Sequence, residues 1–410
     1  MKNFKPELLS PVGDIERLQS ALDYGADAVY LAGKIFGMRA APGNFSNEEL
    51  EKAVNLCHDK NVKVYVTCNT IPHNDEIIHL PEFLQFLNKI KVDGVIIADI
   101  GVLMLVKEHA PDVEIHISTQ AGIANYQTAM AFYALGAKRV VLARELSLAE
   151  IIEIKSKIPE DLEIEVFVHG AMCVSFSGRC LLSSYMTGRD ANRGDCAQPC
   201  RWEYELVETL KRPDEKFTIE EQKDESGRSK TFIMNSKDMC MIEDVPKLIQ
   251  AGVHSLKVEG RAKSAYYVAS TTSAYRNAID FTLQNPDKKI PNWIIDETEK
   301  TSHRQYSKGF FTGEEPGQNT ENGGYIRTWD VVAISQGRNG DYIELSQRNK
   351  FLKGDIADVL VANQKPFTVK LDEIFDKYEK EIATAPHATM TVLLKTDIDI
   401  PKGAYLRVKR

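Results

Sequence analysis

Short apolar runs rich in Val, Ile, Leu and Tyr alternate with longer amphipathic stretches from the start of the chain to about residue 262. Eight such runs predict strands at Glu7 to Ser10, Ala28 to Ala32, Lys63 to Cys68, Gly94 to Asp99, Glu114 to Thr119, Arg139 to Arg144, Glu163 to Gly170 and Ser255 to Gly260. Four carry a Gly at or near the preceding helix end, in GADAVYLAG, VDGVIIAD, GAKRVVLAR and GVHSLKVEG. A glycine there suits a left-handed helix cap that turns the chain into the next strand. Apolar strands alternating with helices are parallel and covered by those helices, and eight repeats close a ring. The pattern therefore predicts an α/β fold, a (β/α)8 TIM-like barrel over residues 1–262. A doubly wound open sheet is the alternative.

One interval breaks the rhythm. About 65 residues separate the seventh strand from its helix, expected near Met239 to Ala251, and a loop that long inside a domain is functional or disordered. Residues 170–202 hold four cysteines; residues 203–232 are charged and are expected to form an exposed hairpin or flap. Beyond the barrel, Lys263 to Leu283 predicts a helix within a connector spanning 263–324. Residues 325–410 switch to short alternating runs such as VVAISQ, DYIELS and ATMTVLL, the signature of a small C-terminal antiparallel β-barrel.

A barrel of this kind carries its chemistry at the C-terminal ends of its strands. Those ends supply Ser10, Gly33, Asn69, Asp99, Ser118 with Gln120, Arg144 with Glu145, His169 with Gly170, and Glu259 with Arg261. Any one of them can also be a cap or a solvated loop residue. With 59 acidic against 51 basic side chains the net charge is -8, which argues against a generic nucleic-acid binder but allows one local basic groove. No apolar run reaches the roughly 20 residues of a membrane helix, and MKNFKPELLSPVGD lacks the apolar core of a signal peptide, so a cytoplasmic location with no membrane partner is expected. In that compartment seven cysteines point to a metal or to catalysis rather than to disulfides.

The densest chemistry is Cys173-x6-Cys180-x15-Cys196-x3-Cys200, in a segment dotted with Gly170, Gly178, Gly188 and Gly194. Four thiolates can hold one [4Fe-4S] cluster, and glycines let backbone approach its sulfides. A tetrahedral zinc site on the same four thiolates is the competing reading, although zinc ribbons show two tight pairs. Cys57, in a helical pattern, and Cys68, at a strand end, are expected to pack.

The stretch Glu165-x-Phe167-x-x-Gly170-Ala171-Met172-Cys173-x4-Gly178-x-Cys180-x-Leu182-Ser183 resembles the collagenase-like peptidase U32 family. So do LLSPVGD, GADAVYLAG, RGDCAQPCRW, NSKDMC, SLKVEGR, YSKGFFTG and the C-terminal β-region, so the resemblance covers the whole chain. It is strongest to a branch of tRNA hydroxylation proteins that make 5-hydroxyuridine at the wobble position using prephenate. The resemblance implies a [4Fe-4S] cluster on Cys173, Cys180, Cys196 and Cys200, prephenate as cosubstrate and tRNA as partner. Some relatives take a ligand from a more distant position, so Cys240 of NSKDMC is an alternative to Cys200.

The peptidase name calls for a catalytic apparatus, yet H-E-x-x-H and G-x-S-x-G are both absent. His169 and Cys173 would make a Cys-His pair only if Cys173 is not an iron ligand. Prephenate is a dicarboxylate, and arginine grips carboxylates bidentately. The candidates are Arg39, in the loop after the second strand, Arg144 and Arg261, with Lys257 weaker because it lies within a strand. Arg144, His169 and Arg261 are the candidate catalytic groups; His116 is expected to be a hydrogen-bonded core histidine, and Glu165 to pair with Lys257. Aromatic and basic residues in SAYYVASTTSAYRN and HRQYSKGFF, including Tyr266, Tyr267 and Tyr275, can stack on RNA or pack a helix. The basic end PKGAYLRVKR makes the C-terminal region a candidate RNA-docking module. A non-catalytic cluster-bearing scaffold, acting as an oligomer or partner subunit, is the third class.

Overall fold

The computed structural model describes residues 4–34, 36–37, 44–204, 222–223, 229–230, 232–320 and 323–410. Its eight parallel strands are β1 (Glu7–Pro11), β2 (Ala28–Leu31), β3 (Lys63–Cys68), β4 (Gly94–Ile97), β5 (Glu114–Ile117), β6 (Arg139–Val141), β7 (Glu163–Ala171) and β8 (Ser255–Val258). Each pairs with the next, β8 pairs with both β7 and β1, and the ring closes. The open-sheet alternative falls away. Gly25, Gly136 and Gly252 turn helix into strand at φ of 93°, 101° and 74°, whereas Gly94 is already inside β4 and Lys91 takes the left-handed position (φ 60°) instead.

The bore is filled by charge as well as by apolar side chains. Arg139, at the start of β6, lies 2.6 Å from both Glu7 and Glu163 and 3.1 Å from Glu165. Tyr65 donates to Glu7 at 2.7 Å, and the expected buried pair forms with Lys257 Nζ 2.7 Å from Glu165 Oε1. Lys257 and Arg139 outweigh burial and hold the Glu165 carboxyl below its usual range. His116 is wholly buried, its ring 4.5 Å from that of Tyr65, and burial depresses its basicity. Glu7, Arg139, Glu163 and Ser255 each open their strands, so this network forms a floor at the N-terminal end.

After β7 the chain does not go straight to a helix. Asp238–Cys240 forms a short strand antiparallel to the end of β7, and the helix begins only at Val245, running to Gln250. The helix Ala265–Gln284 then covers the outside of β1, and a helix the sequence pattern did not flag, Asn292–Glu299, packs on it. Only Gln222–Lys223 and Ser229–Lys230 of the expected flap are described, and they pair antiparallel as a hairpin would. The rest of 203–232 beyond Tyr204, apart from Phe232, lies outside the described residues.

The C-terminal region contains β9 (Trp329–Asn339), β10 (Tyr342–Gln347), β11 (Ile356–Leu360), β12 (Phe367–Lys370), β13 (Ile374–Asp376), β14 (Thr391–Lys395) and β15 (Tyr405–Lys409). Their order is β12-β11-β15-β9-β10-β14-β13, all antiparallel, and the two edges are not paired with each other among the described residues, which makes a half-barrel. It has its own apolar core, from Val332 to Val408. Tyr24, Ala269, Leu360 and Tyr405 form a small cluster that joins it to the barrel's helices. No helix among the described residues is long and apolar enough to cross a membrane.

Candidate functional site

The loop from Met172 to Tyr204 is fastened across the C-terminal mouth of the barrel at several points. Arg144, just past β6, donates from Nη1 to the Ala171 carbonyl at 2.7 Å, and its neighbour Glu145 accepts from the Ser177 backbone at 2.8 Å. Arg193 reaches Glu76 beyond β3 at 2.6 Å, and Ile71 N–H donates to Asn192 O at 3.4 Å. Arg201 donates to Asn235 Oδ1 at 2.9 Å and also to the carbonyls of Ser236 and Met172. Gly178 lies flat on the turn after β5: a Cβ there would come within 2.7 Å of Gln120 Cα, and its φ of 75° disfavours a side chain in any case.

This loop brings Cys173, Cys180, Cys196 and Cys200 together. Burial pushes the Cys200 thiol up, and the other three thiols push it the same way while Arg201 opposes them, so all four share one electrostatic neighbourhood. Cys173 and Cys196 are exposed and Cys180 and Cys200 partly so. The Gln198 amide donates to Cys196 Sγ at 3.4 Å, and Asn192 holds the Cys180 carbonyl at 3.1 Å. Among the described residues no group of three or more His, Cys, Asp or Glu side chains is arranged to hold a metal ion. Cys240 stands apart: it faces Thr298 at 3.8 Å, next to Tyr275, and burial drives its thiol up to about 11. Cys57 and Cys68 are core residues with thiols pushed up to about 12 by burial.

The predicted strand-end groups do not all share the mouth. Arg144 is half-buried, stacks 3.7 Å over the Phe167 ring, and has no carboxylate partner among the described residues. Arg261 is buried, with Nη1 3.5 Å from Thr67 Oγ1 at the end of β3. Arg39 lies outside the described residues. Ser10 turns away to Thr272 on the covering helix at 2.8 Å, and Asp99 caps the helix Ile100–His109.

His169 is a correction. The β7–β8 register runs in step to Phe167↔Lys257 and then jumps to His169↔Val258. That bulge reverses the alternation of faces. The imidazole leaves the bore and lies 3.4 Å from the hydroxyls of both Tyr275 and Tyr306, with Tyr267 also beside it. It is almost fully enclosed, and burial, aided by His303 and Lys263, lowers its pKa to about 3. An enclosed histidine whose basicity burial depresses is poorly placed to exchange protons at the mouth, and among the described residues it forms no pair with the exposed Cys173.

The tyrosines of the covering helix likewise pack: Tyr267 and Tyr275 are buried, and Tyr266 donates to the Lys300 carbonyl at 3.0 Å. The aromatics left in solvent near the cysteines are ones the sequence pattern did not single out, Tyr185 at 84% exposure and Trp202 at 41%. Arg179 and Arg189 lie in the same loop. Also missed were Asn69 and Gln120 as a pair. Asn69 Nδ2 donates to Gln120 Oε1 at 2.8 Å, joining the end of β3 to the turn after β5.

Residues 13–321 match the model for peptidase family U32, and residues 327–407 match the model for the peptidase family U32 C-terminal domain. The chain is 38% identical to "tRNA hydroxylation protein P1" of Bacillus subtilis (strain 168) over 98% of its length and 94% of the relative's. It is 36% identical to "tRNA hydroxylation protein P" of Escherichia coli (strain K12), covering 97% of this chain and 95% of that one. A third relative, the "23S rRNA 5-hydroxycytidine C2501 synthase" of the same organism, is 33% identical over 87% of this chain and 53% of its own length.

Proposed function

Because the chain belongs to the peptidase U32 family along both its barrel and its C-terminal region, we propose that it is an RNA-modifying hydroxylase that converts the wobble uridine of tRNA to 5-hydroxyuridine in the cytoplasm. Prephenate is the oxygen donor in this reading, and Cys173, Cys180, Cys196 and Cys200 hold a [4Fe-4S] cluster. One observation carries it: Cys173, Cys180, Cys196 and Cys200 lie in one loop clamped over the mouth of a barrel whose strand ends supply Arg144 and Arg261. Four cysteines spaced x6, x15 and x3 suit a polynuclear cluster better than a zinc ribbon, which shows two tight pairs. When bound, such a cluster supplies Lewis-acidic and redox-active iron at the mouth.

The chain's own residues would do the rest. Arg144, stacked on Phe167 and without a carboxylate partner among the described residues, offers donors to an incoming dicarboxylate, and Arg261 lies across the mouth near Thr67. Tyr185 and Trp202 present stacking faces for unpaired bases, and Arg179, exposed in the same loop, offers a cation for a phosphate, whereas Arg189 is paired with Asp195 at 2.7 Å. The peptidase reading loses its base, since His169 is enclosed by tyrosines. The test is mass spectrometry of tRNA nucleosides from cells with and without the gene, alongside iron analysis of anaerobically purified protein. Loss of 5-hydroxyuridine derivatives with about four iron per chain is expected. Unchanged tRNA, or stoichiometric zinc in place of iron, would overturn it.

A further inference from the structure

Two guanidiniums grip the backbone just ahead of Cys173. Arg144 donates to the Ala171 carbonyl at 2.7 Å, and Arg201 donates through Nη2 to the next carbonyl, that of Met172. Arg201 is also the residue after Cys200, so one side chain ties the segment entering Cys173 to the segment leaving Cys200. Its other terminal nitrogen donates to Asn235 Oδ1 at 2.9 Å and to the Ser236 carbonyl. Asn235 is fully buried and is itself anchored to the Asn319 backbone by hydrogen bonds of 3.0 and 2.9 Å. A guanidinium carries donors and no acceptor, so the sense of these bonds is fixed.

A second tie joins the other two cysteines. The amide of Ala197, next to Cys196, donates at 3.0 Å to the buried Oγ of Ser183, which lies just past Cys180. The loop is therefore cross-braced, Cys173 with Cys200 and Cys180 with Cys196, by side chains outside the cysteine set. The two braces differ in charge. Ser183 is neutral, whereas Arg201 is a half-buried cation that meets carbonyls and an amide but no carboxylate within ion-pair range among the described residues. The neighbouring Arg304, by contrast, has Asp238 at 3.5 Å. The sulfurs of Cys173 and Cys200 both lie within electrostatic reach of the Arg201 guanidinium. A cation withdrawn from water among neutral partners is costly unless anions face it, and thiolates on these cysteines would supply them.

We propose that Arg201 is the positioning residue of the cysteine loop, holding the segments of Cys173 and Cys200 together before any group binds and offsetting the negative charge of their thiolates. The inference rests on the cluster reading of the four cysteines. A loop ordered in advance has less freedom to lose when its ligands are engaged. Side chains that orient metal ligands in this way typically account for ten- to a hundredfold of the affinity.

The experiment compares full-length, anaerobically purified wild type with Arg201→Gln and Arg201→Lys, reading iron per chain, the rate of iron loss to excess chelator, and the reduction potential. Arg201→Gln loses both the fork and the charge. Its iron should leave at least roughly tenfold faster. Its potential should fall by the equivalent of roughly tenfold in the one-electron equilibrium, about 59 mV, because an added electron is no longer offset. Arg201→Lys keeps the charge without the planar fork, so its iron should also leave faster while its potential stays with wild type. It carries the test alone if Arg201→Gln fails to fold. Wild-type retention of iron in either variant, a potential in Arg201→Gln equal to that of wild type, or a shifted potential in Arg201→Lys would overturn the proposal. Wild type without iron removes the cluster reading and this one together, whereas iron-bearing wild type matched by both variants removes Arg201 alone.

Discussion

Arg407→Met should loosen the attachment of the C-terminal sheet to the barrel. Arg407 is wholly buried, with Nη2 2.7 Å from both oxygens of Glu297 and 3.0 Å from Asp358 Oδ1, and Nη1 3.0 Å from the Tyr266 hydroxyl. Glu297 and Tyr266 belong to helices on the barrel, whereas Arg407 and Asp358 belong to β15 and β11. Lys300 completes the set, 2.7 Å from Glu297 and 2.9 Å from Asp358, so two cations face two carboxylates. Removing one partner of a buried pair costs about 3–5 kcal/mol because the other charge is stranded. Lys300 still reaches both carboxylates, which places the loss at the lower end, about 3 kcal/mol. Arg407→Met/Glu297→Gln removes both charges and leaves the Lys300–Asp358 pair, so it should recover most of that. Thermal unfolding together with limited proteolysis of residues 313–328 measures both. A single variant within about 1 kcal/mol of wild type, or a double variant as damaged as the single one, would refute the reasoning. The same contacts imply that a chain cut after Gly324 leaves Glu297 with Lys300 alone and uncovers Tyr24 and Tyr266.

Replacing any of Cys173, Cys180, Cys196 or Cys200 by Ala should remove most of the iron, while Cys57→Ala and Cys240→Ala keep it; iron retained in Cys200→Ala and lost in Cys240→Ala would reverse the ligand assignment. Arg144→Ala should lower hydroxylation at limiting prephenate by roughly ten- to a hundredfold with iron intact, and Arg144→Lys should rescue only partly because an ammonium lacks the planar fork; full activity in Arg144→Ala removes it from the site. His169 is held neutral, with its pKa lowered to about 3, so the unfolded chain binds the extra proton between pH 6.5 and 3. Its contribution is complete above pH 6.5 and is lost as pH falls, by roughly 2 kcal/mol between pH 7 and 5. A His169→Phe protein should show a flatter decline of stability over that range, and an unchanged slope would mean that the ring is not enclosed as described.

The barrel was legible because its signal is periodic. Each of the eight expected strands contains an observed one, allowing one extra residue at the ends of β1 and β7, and the Glu165–Lys257 pair followed from two charges on neighbouring apolar strands. His169 was misplaced for a reason no residue pattern announces. The shift lies in the pairing of β7 with β8, and a single bulge exchanges inside for outside. Met239 and Cys240 fitted the helical pattern, yet they add a strand to the end of β7, where paired backbone decides over propensity. The tyrosines of Ala265–Gln284 were ambiguous because aromatics suit both a core and a base stack. The apolar outer wall of the barrel settled it in favour of packing. Asn69 and Gln120 were both legible as strand-end residues but not as a pair, since 51 positions separate them and only closure of the ring brings them together.

The vertical order of charge inside the barrel explains why chemistry belongs at one end only. At the floor and centre, Glu7, Glu163 and Glu165 face Arg139 and Lys257, three carboxylates against two cations, and burial depresses the basicity of His116 beside them. Phe167 then divides the bore, with Lys257 5.2 Å from its ring and Arg144 3.7 Å over it. Above Phe167 lie Arg144 and Arg261, and Arg201 holds the edge of the loop. An anion entering from the mouth therefore meets cations first and would meet an excess of carboxylate if it sank further. In a bore of low dielectric that gradient is steep. If the proposed dicarboxylate enters, this order would hold it at the level of the cysteine loop without any side chain having to block the way down.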